Sequence, residues 1–235
     1  YKCVRHCPVK AIRVENDHAA VTPQTCILCG RCVSVCSHSA KQVRDDLPRA
    51  RALLRKSRTV HVSLAPSYVS EFPRVRPAQL ATALKRLGFA GVHETAEGAE
   101  RVSQEVAALL DKAHSGLFLS TACPVAVELI TRYHPEFANA LTPVMPPMLA
   151  HALQLKARFG AETQTVFIGP CIGKKRDADQ SPDLIHTALT FEELRRWLIV
   201  TGIDPSDMAD DPDYAPPGEG AFYPLEGGMN QTIRH

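Results

Sequence analysis

Six of the eight cysteines in this 235-residue chain fall within its first 36 residues, and their spacing constrains the fold more than any other feature. Cys26-Ile-Leu-Cys29-Gly-Arg-Cys32-Val-Ser-Val-Cys36 is a C-x2-C-x2-C-x3-C run. Cysteines two residues apart cannot all reach distant partners, so such a loop turns three thiolates toward one centre, with Gly30 relaxing the backbone between ligands. Upstream, Cys3-Val-Arg-His-Cys7-Pro8 has the form of the end of a second run of the same kind. A disulfide framework does not use spacings this short, and the pattern favours metal chemistry in a reducing compartment.

The fourth cysteine of such a run ligates the neighbouring centre rather than its own, so the two runs interleave. Cys7, Cys26, Cys29 and Cys32 are therefore the expected ligands of one complete 4Fe–4S cluster. Cys3 and Cys36 are expected to be half of a second 4Fe–4S cluster, whose other two ligands the spacing places upstream of Tyr1. Four thiolates also suit a structural zinc, but interleaved runs favour clusters. Ser37 stands where proline usually follows the fourth cysteine. Between the runs, 11–14 and 19–22 flank Asn16-Asp17 and predict a small hairpin. Residues 1–45 thus read as a small α+β module resembling bacterial ferredoxins.

Residues 46–57 read as a linker helix on the spacing of Leu47, Leu53 and Leu54, and the basic cluster from Arg44 to Arg58 as its solvated face. From 58 to 235, apolar runs alternate with amphipathic stretches, which predicts an α/β domain with a mainly parallel sheet. Val60–Leu64 is expected as a strand ending at Ala65-Pro66. Residues 164–168 are expected as a buried strand ending in Gly169-Pro170 and delivering Cys171, Lys174 and Lys175. A third run, 117–119, is expected as a strand delivering Cys123. Helices are expected from Pro77 to Gly88, around Val102 to Leu110, over 125–133, after Met148, and from the capping box Thr190-Phe-Glu-Glu193 to Gly202. Cys123 and Cys171 are the only cysteines outside the N-terminal set, which suggests that they meet at one metal site.

The net charge is only +2, so nothing points to nucleic acid or an anionic membrane surface. No apolar run approaches the roughly 20 residues of a membrane span. The chain is read as cytoplasmic, and its start without Met beside a cysteine motif as a cut N-terminus.

With these residues in view the chain resembles the iron-only hydrogenase family. Ser120-Thr121-Ala122-Cys123-Pro124 resembles the family's T-S-C-C-P motif, and Gly169-Pro170-Cys171-Ile172-Gly173-Lys174-Lys175 its M-P-C-x-x-K-K motif. Met145-Pro146-Pro147-Met148 falls where the family has a site-lining Ser-Pro segment, and Ala65-Pro66 where it has an Ala-Pro at the first strand end. The resemblance implies an H-cluster, a 4Fe–4S cube bridged to a two-iron unit bearing CO and cyanide. By position, Cys123 and Cys171 would be two of the cube's four ligands, and Lys174 would donate to a cyanide. Ala65, Pro66, Met145, Pro146, Met148, Gly169 and Pro170 would line the cofactor. Lys175 is read as solvated charge after the turn.

Two departures accompany the match. The third cysteine motif is absent, and Gly227-Gly228-Met229 resembles the segment upstream of it, which reads as C-terminal truncation. Ala122 stands where hydrogen-producing members carry a proton-relay cysteine, and alanine has no transferable proton. Together with Pro147-Met-Leu-Ala-His151 it resembles the branch thought to sense hydrogen. The resemblance therefore implies interconversion of H2 with protons and electrons by a slow or sensory form. A redox partner protein or a fused signalling domain is expected, and so are cluster maturation proteins. The alternatives are a non-hydrogenase relative acting in iron–sulfur cluster assembly, or plain electron transfer.

Overall fold

The computed structural model describes residues 1–113 and 115–233. It contains two sheets: an antiparallel pair near the N-terminus, and a four-stranded parallel sheet in the larger domain. The N-terminal part comprises α1 (Lys2–His6), the hairpin β1 (Ile12–Glu15) and β2 (His18–Val21), and α2 (Arg31–Ser34). Asn16 and Asp17 both take positive φ, 47° and 61°, the conformation that a tight two-residue hairpin turn requires. Ala11, Ile12, Cys3 and Cys7 form a small buried cluster of their own.

The expected linker helix is α3 (Leu47–Lys56), with Pro48 in its first turn. Its basic face is only partly solvated, because Arg44, just upstream, and Arg49 both pair with Asp179 of the larger domain, at 2.6 and 3.4 Å.

The larger sheet begins with β3 (Val60–Leu64), every residue of which is buried. After the short α4 (Tyr68–Glu71) and α5 (Pro77–Arg86), the chain adds β4 (Gly91–Glu94) on one side of β3. It then runs through α6 (Ala96–Lys112), α7 (Pro124–Tyr133) and α8 (Pro147–Phe159) before adding β5 (Gln164–Gly169) on the other side of β3. Helix α9 (Gly173–Gln180) and strand β6 (Thr187–Thr190) follow, then α10 (Phe191–Thr201) and, near the end, α11 (Gly228–Thr232). The order β4-β3-β5-β6 is parallel throughout. Val60, Val62, Leu64, Val166 and Ile168 are at most 1% exposed and form the centre of the core with Leu80, Leu84 and Leu194. A central parallel strand is covered on both faces, which is why β5 reads as an apolar run; β3 alternates in sequence like a half-buried strand, yet His61 and Ser63 are buried as well.

This order places a topological switch between β3 and β5, since the chain leaves β3 toward opposite sides of the sheet. In open α/β sheets ligands bind outside the carboxyl ends of the strands at such a point. Here those ends are Ala65-Pro66 and Gly169-Pro170-Cys171. They touch: the Ala65 N–H donates to Ile168 O at 2.8 Å, and a Cβ on Gly169 would lie 2.8 Å from the Ala65 methyl.

One expected strand is missing from the sheet. Residues 117–119 do not form a strand of the sheet; Leu119 makes a single bridge to Leu141, and Leu117 and Phe118 are 55% and 36% exposed. Three apolar residues bounded by glycine and serine have too little length to displace an existing strand pairing. Strands β4 and β6 escaped the sequence reading because Gly-Val-His-Glu and Thr-Ala-Leu-Thr carry too few apolar residues to show a period.

Candidate metal centre and strand-end site

Cys7, Cys26, Cys29 and Cys32, the four expected ligands, line one cavity of about 290 Å³. The chain turns into it against its own preferences, with Leu28 at φ 55° and Gly30 at φ 76°. A bulky residue at positive φ persists only where its surroundings over-determine it. The result is that backbone N–H groups face the sulfurs. Leu28 N–H donates to Cys26 Sγ at 3.4 Å, and Ala11 N–H to Cys7 Sγ at 3.2 Å. Burial pushes the Cys32 thiol up, and the neighbouring Cys26 and Cys29 thiolates push it further. Four thiolates around one cavity need a cationic centre to offset their mutual repulsion, and four cysteine thiolates are the ligand set of a 4Fe–4S cube. Among the described residues, no three His, Cys, Asp or Glu side chains converge tightly enough for one metal ion.

Cys3 and Cys36 line a second, more open hollow with Tyr1, His18, His38 and Lys41. The backbone N–H groups of His38 and Lys41 hold the Cys36 thiol below its usual range. The two cysteines thus line one hollow, in which the backbone favours the thiolate of Cys36.

The first cavity is closed by the larger domain. Ile172, Lys175, Arg176 and Asp179 form its far wall, and a Cβ on Gly30 would meet Ile172 Cδ1 at 3.5 Å. Cys29 and Cys171 line a common groove with Pro170, Ile172 and Val125. Helix α7 makes a second tie, as Arg132 donates to Gln24 O and the Tyr133 hydroxyl to Thr25 O at 2.6 Å, just before Cys26.

At the strand-end site, Cys171 follows β5 as the sequence predicts, whereas Cys123 is the N-cap of α7. The two are joined through their neighbours. A Cβ on Gly173 would lie 3.0 Å from Pro124 Cγ and 3.2 Å from Val125 Cγ2, with Cys171 Sγ at 3.5 Å. Lys174 is buried and bridges the two loops, its Nζ donating to Ala122 O and to Asp177 Oδ2, both at 3.0 Å. Thr121 Oγ1 donates to Val144 O at 2.6 Å, which holds the Ala122-Cys123 segment against Met145-Pro146. Met145 is at the rim, 36% exposed, whereas Met148 is 1% exposed and packs in the main core. Lys175 contradicts the expectation of a solvated charge. It is 5% exposed, and its Nζ donates to Asp46 Oδ2, Ala188 O and both carboxylate oxygens of Glu193 at 2.8–3.0 Å.

Residues 58–235 match the family model for the iron only hydrogenase large subunit, C-terminal domain. The chain belongs to that family. Residues 1–37 match the 4Fe-4S dicluster domain. A ferredoxin 7Fe from Hydrogenibacillus schlegelii is 37% identical over 57 residues, which are 24% of this chain and 73% of that protein. Among solved structures, FeFe-hydrogenase HydA1 from Chlamydomonas reinhardtii, in a glutamate variant, superposes with a TM-score of 0.61 at 22% identity. That alignment covers 71% of this chain and 50% of the other. A structure of HydA described as revealing stepwise FeFe-hydrogenase H-cluster assembly gives 0.61 at 23% identity over 71% and 49% of the two chains. The chain therefore spans about half the length of these hydrogenase structures. Among its described residues no helix is long and apolar enough to cross a membrane.

This hydrogenase-family domain also holds a buried polar cluster that the sequence reading does not anticipate; of its residues only His151 is named there, as part of the 147–151 segment. His151 is fully buried and shares a 2.7 Å hydrogen bond between its Nδ1 and Ser63 Oγ, which in turn meets Thr95 Oγ1 at 2.8 Å. His61 Nδ1 and His93 Nε2 lie 3.1 Å apart on the same face of the sheet. Burial and the neighbouring His93 and Arg158 hold His151 down to about 3, and burial with His61 holds His93 down to about 4. His61 and His93 lie on short mixed strands that give no apolar period, and only the packing of α8 on the sheet brings His151 to them. Glu94 is similarly hidden, 2% exposed, and accepts from the hydroxyls of Tyr68 and Tyr214.

Proposed function

We propose that this chain is an iron–sulfur protein of the iron-only hydrogenase type, in which electrons pass between an N-terminal cluster and a strand-end cofactor. Cys7, Cys26, Cys29 and Cys32 hold the first 4Fe–4S cluster. Cys3 and Cys36 contribute two ligands to a second. Cys123 and Cys171 are two of the thiolates for the cube of an H-cluster, whose two-iron unit supplies the chemistry H2 ⇌ 2H+ + 2e−. The observation that carries the reading is the groove shared by Cys29 and Cys171, floored by Ile172 packed on Gly30. It brings the wall of the module's cavity and the strand-end cysteine into direct succession.

The chain's own residues set up the rest of the site. Lys174 is a buried ammonium fixed between Ala122 O and Asp177, suited to an anionic ligand of the cofactor, since a charge-assisted donor in a dry pocket is strong and geometrically exact only when both anchors hold it. Ala65, Pro66, Gly169 and Pro170 form the floor at the switch point. Ala122 provides no proton donor beside this site, which supports slow turnover or a hydrogen-sensing role. A redox partner or a signalling domain would then receive the electrons, and maturation proteins would install the cofactor.

The test is to produce the protein with the cluster maturation machinery, record infrared spectra in the CO and cyanide region, and measure hydrogen evolution with and without Ala122→Cys. Two-iron bands with little activity, rising by on the order of tenfold or more in Ala122→Cys, are expected from restoring a general acid. Iron–sulfur signals without those bands in either protein would overturn the hydrogenase reading and leave electron transfer or an assembly role.

A further inference from the structure

The cavity bounded by Cys7, Cys26, Cys29 and Cys32 is not enclosed by the ferredoxin-like module alone. Its far wall is the N-cap and body of α9, contributing Ile172, Lys175, Arg176 and Asp179. Charged groups at that wall act on whatever the thiolates hold. A 4Fe–4S cube with four thiolates is an anion that gains a further negative charge on reduction, so a fixed cation beside it favours the reduced state. The cations there are not equivalent. Lys175 is saturated by Asp46 and Glu193. Arg44 is matched by Asp46 and Asp179, which Arg49 also meets. Arg176 differs. Among the described residues its only carboxylate partner is Glu128, 3.0 Å away, and Glu128 is shared with Arg132. Two guanidinium groups on one carboxylate leave a net positive charge, held in side chains that are only 19% exposed at Arg176 and Glu128.

We infer that Arg176 tunes the reduction potential of the cluster held by Cys7, Cys26, Cys29 and Cys32, so that the larger domain sets the redox poise of the centre on the N-terminal module. Arg176 belongs to the same short segment as Cys171, five residues earlier. The segment that presents the strand-end cysteine therefore also biases the cluster facing it toward holding an electron. Ile172 supports this by packing on Gly30 and keeping bulk water, with its high dielectric, away from that wall. The step concerned is the transfer of one electron from an electrode or mediator into the cube, with no bond made or broken and no proton moved.

The inference rests on the four cysteines being the ligands, and the experiment separates the two claims. The chain is reconstituted anaerobically with iron and sulfide, and the reduced-cluster paramagnetic resonance signal is assigned by its loss in Cys26→Ala. Potentials are then measured for the unsubstituted chain, Arg176→Gln, Arg176→Lys and Glu128→Gln. Arg176→Gln is expected to lower the reduced-to-oxidised ratio at fixed poise by on the order of tenfold, ~59 mV for one electron. Glu128→Gln is expected to move it the opposite way, because it removes the compensating anion, and Arg176→Lys to stay near the parent. Opposite signs are the signature of charge. Loss of packing would shift both substitutions in one direction or neither, and either result overturns the inference. If the unsubstituted chain assembles no cluster, or one that survives Cys26→Ala, the ligand assignment falls and the tuning role falls with it.

Discussion

Lys175 Nζ lies 2.9 and 2.8 Å from the two carboxylate oxygens of Glu193, with the side chains only 6% and 7% exposed. The same carboxylate accepts the backbone N–H of Asp46 at 2.6 Å and that of Thr190 at 2.6 Å. One capping-box glutamate therefore closes the N-terminus of α10, neutralises a buried lysine and fastens the start of the linker helix. The second lysine of the Lys-Lys pair is a strut between the linker and the larger domain, while the first, Lys174, faces the strand-end site.

Breaking that strut is expected to be costly. Lys175→Met leaves the buried Glu193 carboxylate without its cation and Asp46 with Arg44 alone, and removing one partner of a buried pair costs about 3–5 kcal/mol. Urea unfolding followed by circular dichroism checks this, with the midpoint expected to drop sharply. Lys175→Arg is expected to lose less, since the charge is retained.

Gly173 is expected to tolerate no side chain without moving α7. A Cβ would sit 3.0 Å from Pro124 Cγ and 3.2 Å from Val125 Cγ2, closer than ordinary contact. Gly173→Ala should destabilise by about 1–3 kcal/mol through overpacking, and it should shift Cys123 relative to Cys171. Thermal unfolding and cysteine accessibility to a thiol reagent read the two effects separately.

At Gly98 the crossing of α6 and α8 is tighter still. A Cβ there would lie 2.6 Å from His151 Cβ and closer yet to the Pro147 carbonyl, which is backbone and cannot rotate away. Gly98→Ala is expected to destabilise more than Gly173→Ala in the same unfolding measurement; equal midpoints would contradict the packing argument.

Acid should destabilise the larger domain well above the carboxylate range. His151 is held down to about 3 by burial, with His93 and Arg158 adding to it, whereas its unfolded value is near 6.5. Below pH 6.5 the unfolded chain binds a proton that the folded chain refuses, so stability falls as pH drops from about 6.5 toward 3. By pH 5 this one residue costs about 2 kcal/mol. Chemical denaturation at pH 7 and pH 5 is expected to show that loss, and to show less of it in His151→Asn. A stability that stays flat over that interval would refute the neutral, buried imidazole.

Much of the molecule was already legible in the chain. The interleaved cysteine spacing paired Cys7 with Cys26, Cys29 and Cys32, because short loops leave thiolates few places to go. The alternation at 60–64, the apolar run at 164–168, the proline opening α5, and the Thr190–Glu193 capping box marked their elements, since each is a local rule written in adjacent residues. Cys171 followed from the end of β5 in the same way. What tertiary structure alone decided is what lies across those elements. It withheld a strand from 117–119, since pairing depends on what the neighbouring strands leave open. It buried Lys175 against Asp46 and Glu193, residues distant in sequence that no local pattern connects. It set Ile172 and Arg176 as a wall of the N-terminal cavity, and it brought His151 of α8 edge-on to His93, which stacks on His61. Local spacing chooses the candidate ligands and the caps; burial and charge balance are properties of the packed whole, and only the packed whole shows them.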